Sequence, residues 1–355
     1  MPDFLSLHEQ LRQRSPRIPT TLFLIGSNLL VFAAMLALGA GLWHSPNGVQ
    51  LAWGANFGPA TQDGEWWRLG SALFLHFGAI HLAMNMWALW DGGQLVERMY
   101  GAARFTGIYF ASGLTGNLLS LVAHGGQAVS GGASGAIFGT YGALLTFLWH
   151  ERRNLHPREF RWLFWGAAGF AAATIVFGLL IAGIDNAAHI GGFLAGILSG
   201  LALLRPLDAT HYLPRRSRLL ACTALTLAIA VLISLIPAPA YRWSEEALAR
   251  KEIGRFLRDD VAIREAWRHI LEDNKRGGIS FDELAGRIDT SIADRYEASF
   301  EQLSRLGRNP ALPSSATIET LRHYAGQRRD ASRSLAEGLR AHDQAQIREA
   351  LEHTK

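Results

Sequence analysis

The run GGASGAIFGTY places a serine, Ser134, inside an apolar stretch, and a histidine, His189, lies in a second apolar stretch, AAHIGGFLAG, about fifty residues further on. Hydrocarbon offers no water to an imidazole, so ionisable residues at membrane depth are costly, rare and marked out for function. A serine hydroxyl beside a histidine base is also the smallest set for nucleophilic acyl transfer. Together the two residues predict a protease that works inside a membrane. No acidic residue is evidently placed as a third member. Asp185 is the nearest in sequence to His189 but is expected in a loop, so a two-residue dyad is the simpler expectation.

His81 and Asn85 supply what a dyad lacks. They are four apart and share one face of a helix. The tetrahedral intermediate of peptide hydrolysis carries an oxyanion, and prearranged donors aimed at it are usually the largest catalytic contribution. Asn85 can donate from its amide and His81 from a ring nitrogen, alongside the backbone amide of Ser134. A helix beginning at Ser134 would add its N-terminal amides and the positive end of its dipole. Taken singly, each residue has a plainer role. A serine in a membrane helix ordinarily bonds back to a carbonyl one turn earlier, a histidine can sit at the interface, and an asparagine can bridge helices. The joint pattern carries the expectation.

The elements that must hold these residues are transmembrane helices. Hydrophobic residues make up 49% of the 355 and charged ones 18%, with 37 glycines and 11 tryptophans. Of 34 Lys and Arg and 30 Asp and Glu, 20 of each fall from Tyr241 onward, leaving 14 basic against 10 acidic before it. The net charge of +4 therefore belongs to the apolar part. That balance suits basic cytoplasmic loops and not nucleic-acid binding, which wants a concentrated basic face. The single cysteine, Cys222, excludes a disulfide within the chain. No metal or cofactor is expected.

Seven stretches approach the roughly 20 apolar residues needed to cross about 30 Å of hydrocarbon. They run from Pro19 to Trp43, Ala79 to Val96, Phe105 to Ala123, Ser134 to Trp149, Trp162 to Ala182, Ala188 to Leu204 and Leu219 to Ile236. Further spans follow the first and no small-residue cleavage site does, which argues against a cleaved signal peptide. Arginines cluster in the N-terminal tail (Arg12, Arg14, Arg17) and after spans two, four and six, as at Arg98, Arg152 and Arg215. The positive-inside rule then puts the N-terminus in the cytoplasm and the C-terminus outside. In that topology spans two, four and six run inward, so His81, Asn85, Ser134 and His189 all fall near the outer face, at one depth. Scattered depths would have spoken against a shared site.

Helix spacing sharpens the geometry. At about 100° per residue, His189, Gly192, Gly196 and Gly200 form one stripe, and Gly135 and Gly139 make a second small-residue pair near Ser134. Small residues at this spacing let helix backbones approach closely in lipid. Spans four and six can thus come near enough for serine to touch imidazole. Trp66, Trp67 and Trp87 fit an interfacial aromatic belt.

These motifs, in order and in matching topology, resemble those of the rhomboid intramembrane serine proteases. The matching pieces are Trp67-Arg68 in the loop before span two, His81 and Asn85 as HxxxN, Gly132-Ala133-Ser134-Gly135 as GxSG, and Ala188-His189 followed by Gly191-Gly192. The resemblance covers roughly Pro19 to Arg205, and the seventh span matches the six-plus-one variants of the family. It implies an all-α, polytopic helix bundle: a cytoplasmic tail over 1–18, a six-helix catalytic core over 19–205, a linker and seventh helix over 206–240, and a helical soluble domain over 241–355, expected outside the cytoplasm. Also by resemblance, Ser134 is nucleophile, His189 general base, and His81 and Asn85 stabilise the oxyanion, with Gly132, Gly135, Phe138, Gly192, Gly196, Trp67 and Arg68 supporting the site. Many members carry a tyrosine four residues after the serine; Phe138 keeps the aromatic face and lacks the hydroxyl.

The resemblance implies an endopeptidase of a bacterial plasma membrane that cuts other membrane proteins in or beside their transmembrane segments. The alternative is a rhomboid-like pseudoenzyme that binds membrane-protein clients without cutting them; retention of both Ser134 and His189 favours the enzyme. A transporter with a histidine proton relay would give Ser134 no special reactivity. In the tail, Ile253, Phe256, Leu257, Ile263, Trp267 and Ile270 recur at helical spacing, and Gly277-Gly278 ends that helix. Ser280 and Glu283 fit a capping box for the next. The segment from Glu272 to Glu283 is similar to a calcium-binding loop, but Arg276 occupies a ligand position, so calcium is not expected. A break at Pro310 and Pro313 precedes a last polar helix, and the domain is expected to bury its own apolar faces and serve a regulatory partner.

Overall fold

The computed structural model describes residues 6–125, 128–207 and 212–353. Among them every regular element is helical, apart from one isolated antiparallel bridge between Asn56 and Ser130. The chain divides into two compact units, Met1–Pro239 and Ala240–Lys355.

The first unit opens with α1 (Leu7–Arg14) and α2 (Pro19–Ala37). Pro19 suits the first turn of α2, whose free amides need no intrahelical partner. Those amides are satisfied by the fully buried Glu97, which accepts from Thr20 N at 2.9 Å, Thr21 N at 2.7 Å and Thr21 Oγ1 at 2.6 Å. The loop that follows carries α3 (Asn47–Ala52), α4 (Gly58–Gln62), α5 (Arg68–Ser71) and a 3-10 turn over Ala72–Phe74. The chain bends by 92° between Arg68–Phe74 and the next helical stretch, Ala79–Tyr100. That stretch is α6 (Ala79–Ala88), a π turn over Leu89–Gly93 and α7 (Gln94–Tyr100). Then come α8 (Ala102–His124), closed by Gly125 in the left-handed conformation, α9 (Ser134–Glu151), α10 (Pro157–Leu180), α11 (Asn186–Leu203) and α12 (Arg215–Leu235).

All seven expected spans are helical. Five of them, α2, α8, α10, α11 and α12, are each long and apolar enough to cross a membrane, and the bent stretch makes a sixth. Two differences have physical reasons. The first span stops at Ala37 and not Trp43, because the chain turns at Gly39 (φ +98°) and returns as loop. The fourth, α9, is not apolar enough to pass alone; it lies at the centre of the unit, buried along most of its length, and meets few lipids. By contrast α10 and α12 are mostly exposed and present Trp162, Phe177, Leu180, Leu220 and Leu227 outward, as helices facing lipid should. The chain is a multi-pass integral membrane protein.

The centre is built from glycine. A Cβ on Gly192 would collide with the Gly135 carbonyl and one on Gly196 with the Gly139 carbonyl, while Gly116 of α8 faces Ala188 O. The backbones of α8, α9 and α11 therefore touch. In lipid, where apolar burial gives helices no net drive to associate, such contact is what holds them.

The second unit comprises α13 (Trp243–Arg276), α14 (Phe281–Ile288), a π turn (Asp289–Ala293), α15 (Asp294–Arg305), α16 (Ser315–Ala341) and α17 (Gln344–His353). Phe256, Ile263 and Ile270 enter its core with Ile288, Tyr296 and Leu335. Leu257 does not, being 54% exposed: one residue on from Phe256 it points about 100° away from the core. Ser280 caps α14 by accepting from Glu283 N at 3.2 Å, but the Glu283 carboxylate turns to Arg287, so only half of a capping box forms. Two buried carboxylates pin the unit. Glu246 accepts from Ser314 Oγ (2.8 Å) and pairs with Arg250, and Asp260 accepts from the Tyr296 hydroxyl at 2.9 Å. Burial, reinforced by that bond, holds the Tyr296 phenol above its ordinary pKa.

Candidate active site

Ser134 is the first residue of α9 and follows a tight turn. Gly132 sits there at φ +143°, a conformation that disfavours any side chain, and a Cβ on it would lie 2.9 Å from His81 Cε1 and 3.7 Å from Ser134 Oγ. Glycine is thus required twice over, by the backbone angle and by the imidazole packed against it. The turn is held by Gly132 N donating to Ala72 O at 2.8 Å.

From the facing helix α11, His189 Nε2 lies 2.9 Å from Ser134 Oγ. Phe138, one turn along α9 from the serine, stacks flat on the imidazole at 4.3 Å with the rings 8° from parallel. The stacking fixes the ring plane, and Gly192 and Gly196 bring α11 close enough for the contact. His189 Nδ1 has no hydrogen-bond partner among the described residues. When Ser134 donates to Nε2, the imidazole proton therefore sits on an Nδ1 with no carboxylate behind it. Asp185 caps α11 instead, accepting from Ala188 N at 3.0 Å.

Asn85 is buried on α6 and donates through Nδ2 to His81 O at 2.9 Å, which leaves one amide N–H for another acceptor. His81 lies beside the serine turn, as the Gly132 geometry shows. Trp67 and Arg68 are set back in the loop before α6. The buried Arg68 donates to Leu51 O at 2.7 Å and to Glu65 Oε2 at 2.5 Å, and its guanidinium lies 4.9 Å over the Trp67 ring. Gly54, at φ +96°, has no side chain to obstruct that indole. The pair braces the loop.

His76 is a residue that the spacing arguments pass over. It is fully buried, and its ring meets that of His81 edge-on with centroids 5.0 Å apart. Its only sequence signal is an imidazole placed between Leu75 and Phe77, five residues before His81. No group of three or more His, Cys, Asp or Glu side chains among the described residues could hold a metal.

The chain is a helical membrane bundle whose packed helices α9 and α11 bring a serine and a histidine into hydrogen-bond contact, and sequence comparison assigns its family. The rhomboid domain matches residues 63–206. Over 176 residues the chain is 35% identical to the putative rhomboid protease YdcA of Bacillus subtilis, covering 85% of that protein and 47% of this one. It is 30% identical over 207 residues to the rhomboid protease AarA of Providencia stuartii, covering 73% of it and 53% of this chain. The rhomboid protease GluP of Bacillus subtilis is 37% identical over 193 residues, 53% of this chain and 36% of GluP. This chain belongs to the rhomboid family. The matched part spans only a third to a half of the length of several relatives, 36% of GluP and 46% of the Arabidopsis thaliana RHOMBOID-like protein 5.

Proposed function

We propose that the protein is an intramembrane serine endopeptidase that hydrolyses peptide bonds in or beside transmembrane segments of other membrane proteins. The observation that carries this is the 2.9 Å contact between Ser134 Oγ and His189 Nε2. Nε2 takes the hydroxyl proton as Ser134 attacks the carbonyl carbon, then delivers it to the departing amine, and a water hydrolyses the ester by the same route. The negative oxygen of each tetrahedral intermediate is met by the backbone amide of Ser134, the free N–H of Asn85 and a ring N–H of His81. Several relatives bear the name rhomboid protease, which favours the enzyme over a client-binding pseudoenzyme.

A fluorophosphonate probe tests the assignment directly. The purified protein in detergent is expected to label at Ser134, and His189→Ala to reduce the labelling rate by at least about 10³-fold. Labelling of wild type at no serine, under conditions where the fold is intact, would sink the proposal.

The basic loops support an orientation with the site near the extracytoplasmic face and the C-terminal domain outside. A reporter enzyme that folds only outside the cytoplasm should be active when fused after Lys355. Activity of a cytoplasm-only reporter at that point would reverse the topology.

A further inference from the structure

The cap of the histidine helix is also tied to the loop that presents the serine. Asp185 stands four residues before His189, and Ser130 four residues before Ser134. Asp185 Oδ2 accepts from Ser130 Oγ at 2.6 Å and from Ser120 Oγ of α8 at 2.5 Å, while Oδ1 accepts from Ala188 N at 3.0 Å. One carboxylate thus joins α8, the serine loop and α11. Ser130 is itself held by a reciprocal pair of backbone bonds with Asn56, at 2.8 and 2.9 Å. The Asn56 side chain reaches α8 by donating to Asn117 O at 3.0 Å.

We propose that Asp185 is a positioning residue that sets the Ser134–His189 geometry by locking the serine loop to the histidine helix. This rests on Ser134 and His189 being the reacting pair. Asp185 does not act as a third triad member, since His189 Nδ1 has no partner among the described residues and the carboxylate faces Ser120, Ser130 and Ala188 N, with His124 Nε2 of α8 3.9 Å from Oδ1. It acts through the chain, four residues back on each side. Two short, charge-assisted bonds to hydroxyls are stronger than a neutral cap needs. A cap alone would require only Oδ1, and a displacement of about 1 Å between reacting groups is enough to lower a rate about a hundredfold.

The test separates capping from tying. Serine is as good an N-cap as aspartate, but it is too short to reach Ser130, so Asp185→Ser keeps the cap and loses the tie. Ser130→Ala loses the tie without touching α11. Each is expected to slow fluorophosphonate acylation of Ser134 by about tenfold or more, with kcat for a transmembrane substrate falling and KM unchanged. The double variant should be no slower than the slower single. Asp185→Asn, whose amide can meet the same hydroxyls, should recover most of the rate. Wild-type acylation rates in both Asp185→Ser and Ser130→Ala, or effects that multiply in the double variant, would overturn the proposal. Should Asp185→Ser fail to fold, Ser130→Ala decides alone. Failure of wild type itself to label would overturn the dyad and this proposal together, whereas a labelled wild type with unaffected variants overturns only the tie.

Discussion

Ser134→Ala and His189→Ala are each expected to lower the cleavage rate of a transmembrane substrate reconstituted with the protein by about 10⁴-fold or more, without unfolding it. The size follows from how the two groups share one step. Without the hydroxyl no acyl-enzyme forms. Without the imidazole the hydroxyl keeps its proton, and the departing amine finds no acid. The double variant should be hardly slower than either single, because removing one member leaves the other nothing to do. Folding should survive both changes, since Ser134 is only partly buried at the start of its helix and Phe138 continues to fill its side of the site. Gel analysis of a tagged substrate in liposomes gives the rates, and thermal melting in detergent gives the control. A Ser134→Ala protein that still cuts within tenfold of wild type would remove serine catalysis from the site.

Asn85→Ala should cost less, about 10²- to 10³-fold, the usual effect of losing one oxyanion donor. The side chain offers a single N–H for that purpose, because the other is bound to His81 O at 2.9 Å.

Much of this site was legible in the sequence because its parts break local rules. A serine, two histidines and an asparagine in apolar runs cannot be explained by composition, and the 100° helical repeat put the histidine on the same stripe as its packing glycines. The span pattern was legible for the same reason, since hydrocarbon admits only long apolar helices. Less could be read where a residue's partner is remote. The connection from Glu97 to the start of α2 joins positions 76 and 77 residues apart, and Ser120 meets Asp185 across 65 residues. Hydrogen bonds of that kind leave no periodic mark. The 92° bend before α6 was equally silent: span two was expected to begin at Ala79, and nothing ahead of it marks that the chain turns through Phe77 and Gly78. In the second unit, hydrophobic periodicity alone could not separate Phe256, which is buried, from Leu257, which is not.

The glycine contacts set the other large expected effect. Gly196→Ala should destabilise the first unit by about 3 kcal/mol or more, at or beyond the upper end of ordinary overpacking, because the new methyl meets the backbone of Gly139 and not a side chain that can turn away. Backbone has no alternative rotamer, so α9 and α11 must move apart along their whole contact. That movement would also separate Ser134 from His189, whose 2.9 Å contact depends on the same helix pair. Activity should therefore fall further than stability alone would require. Gly166→Ala on α10 makes the matched control: a Cβ there has nothing within 4 Å, and alanine in a helix interior is favoured over glycine by about 0.5–1 kcal/mol. Thermal melting in detergent, together with fluorophosphonate labelling below the melting point, compares the two. If Gly196→Ala melts with Gly166→Ala and labels as fast, α9 and α11 do not pack backbone to backbone, and the close approach that lets serine reach histidine must have another cause.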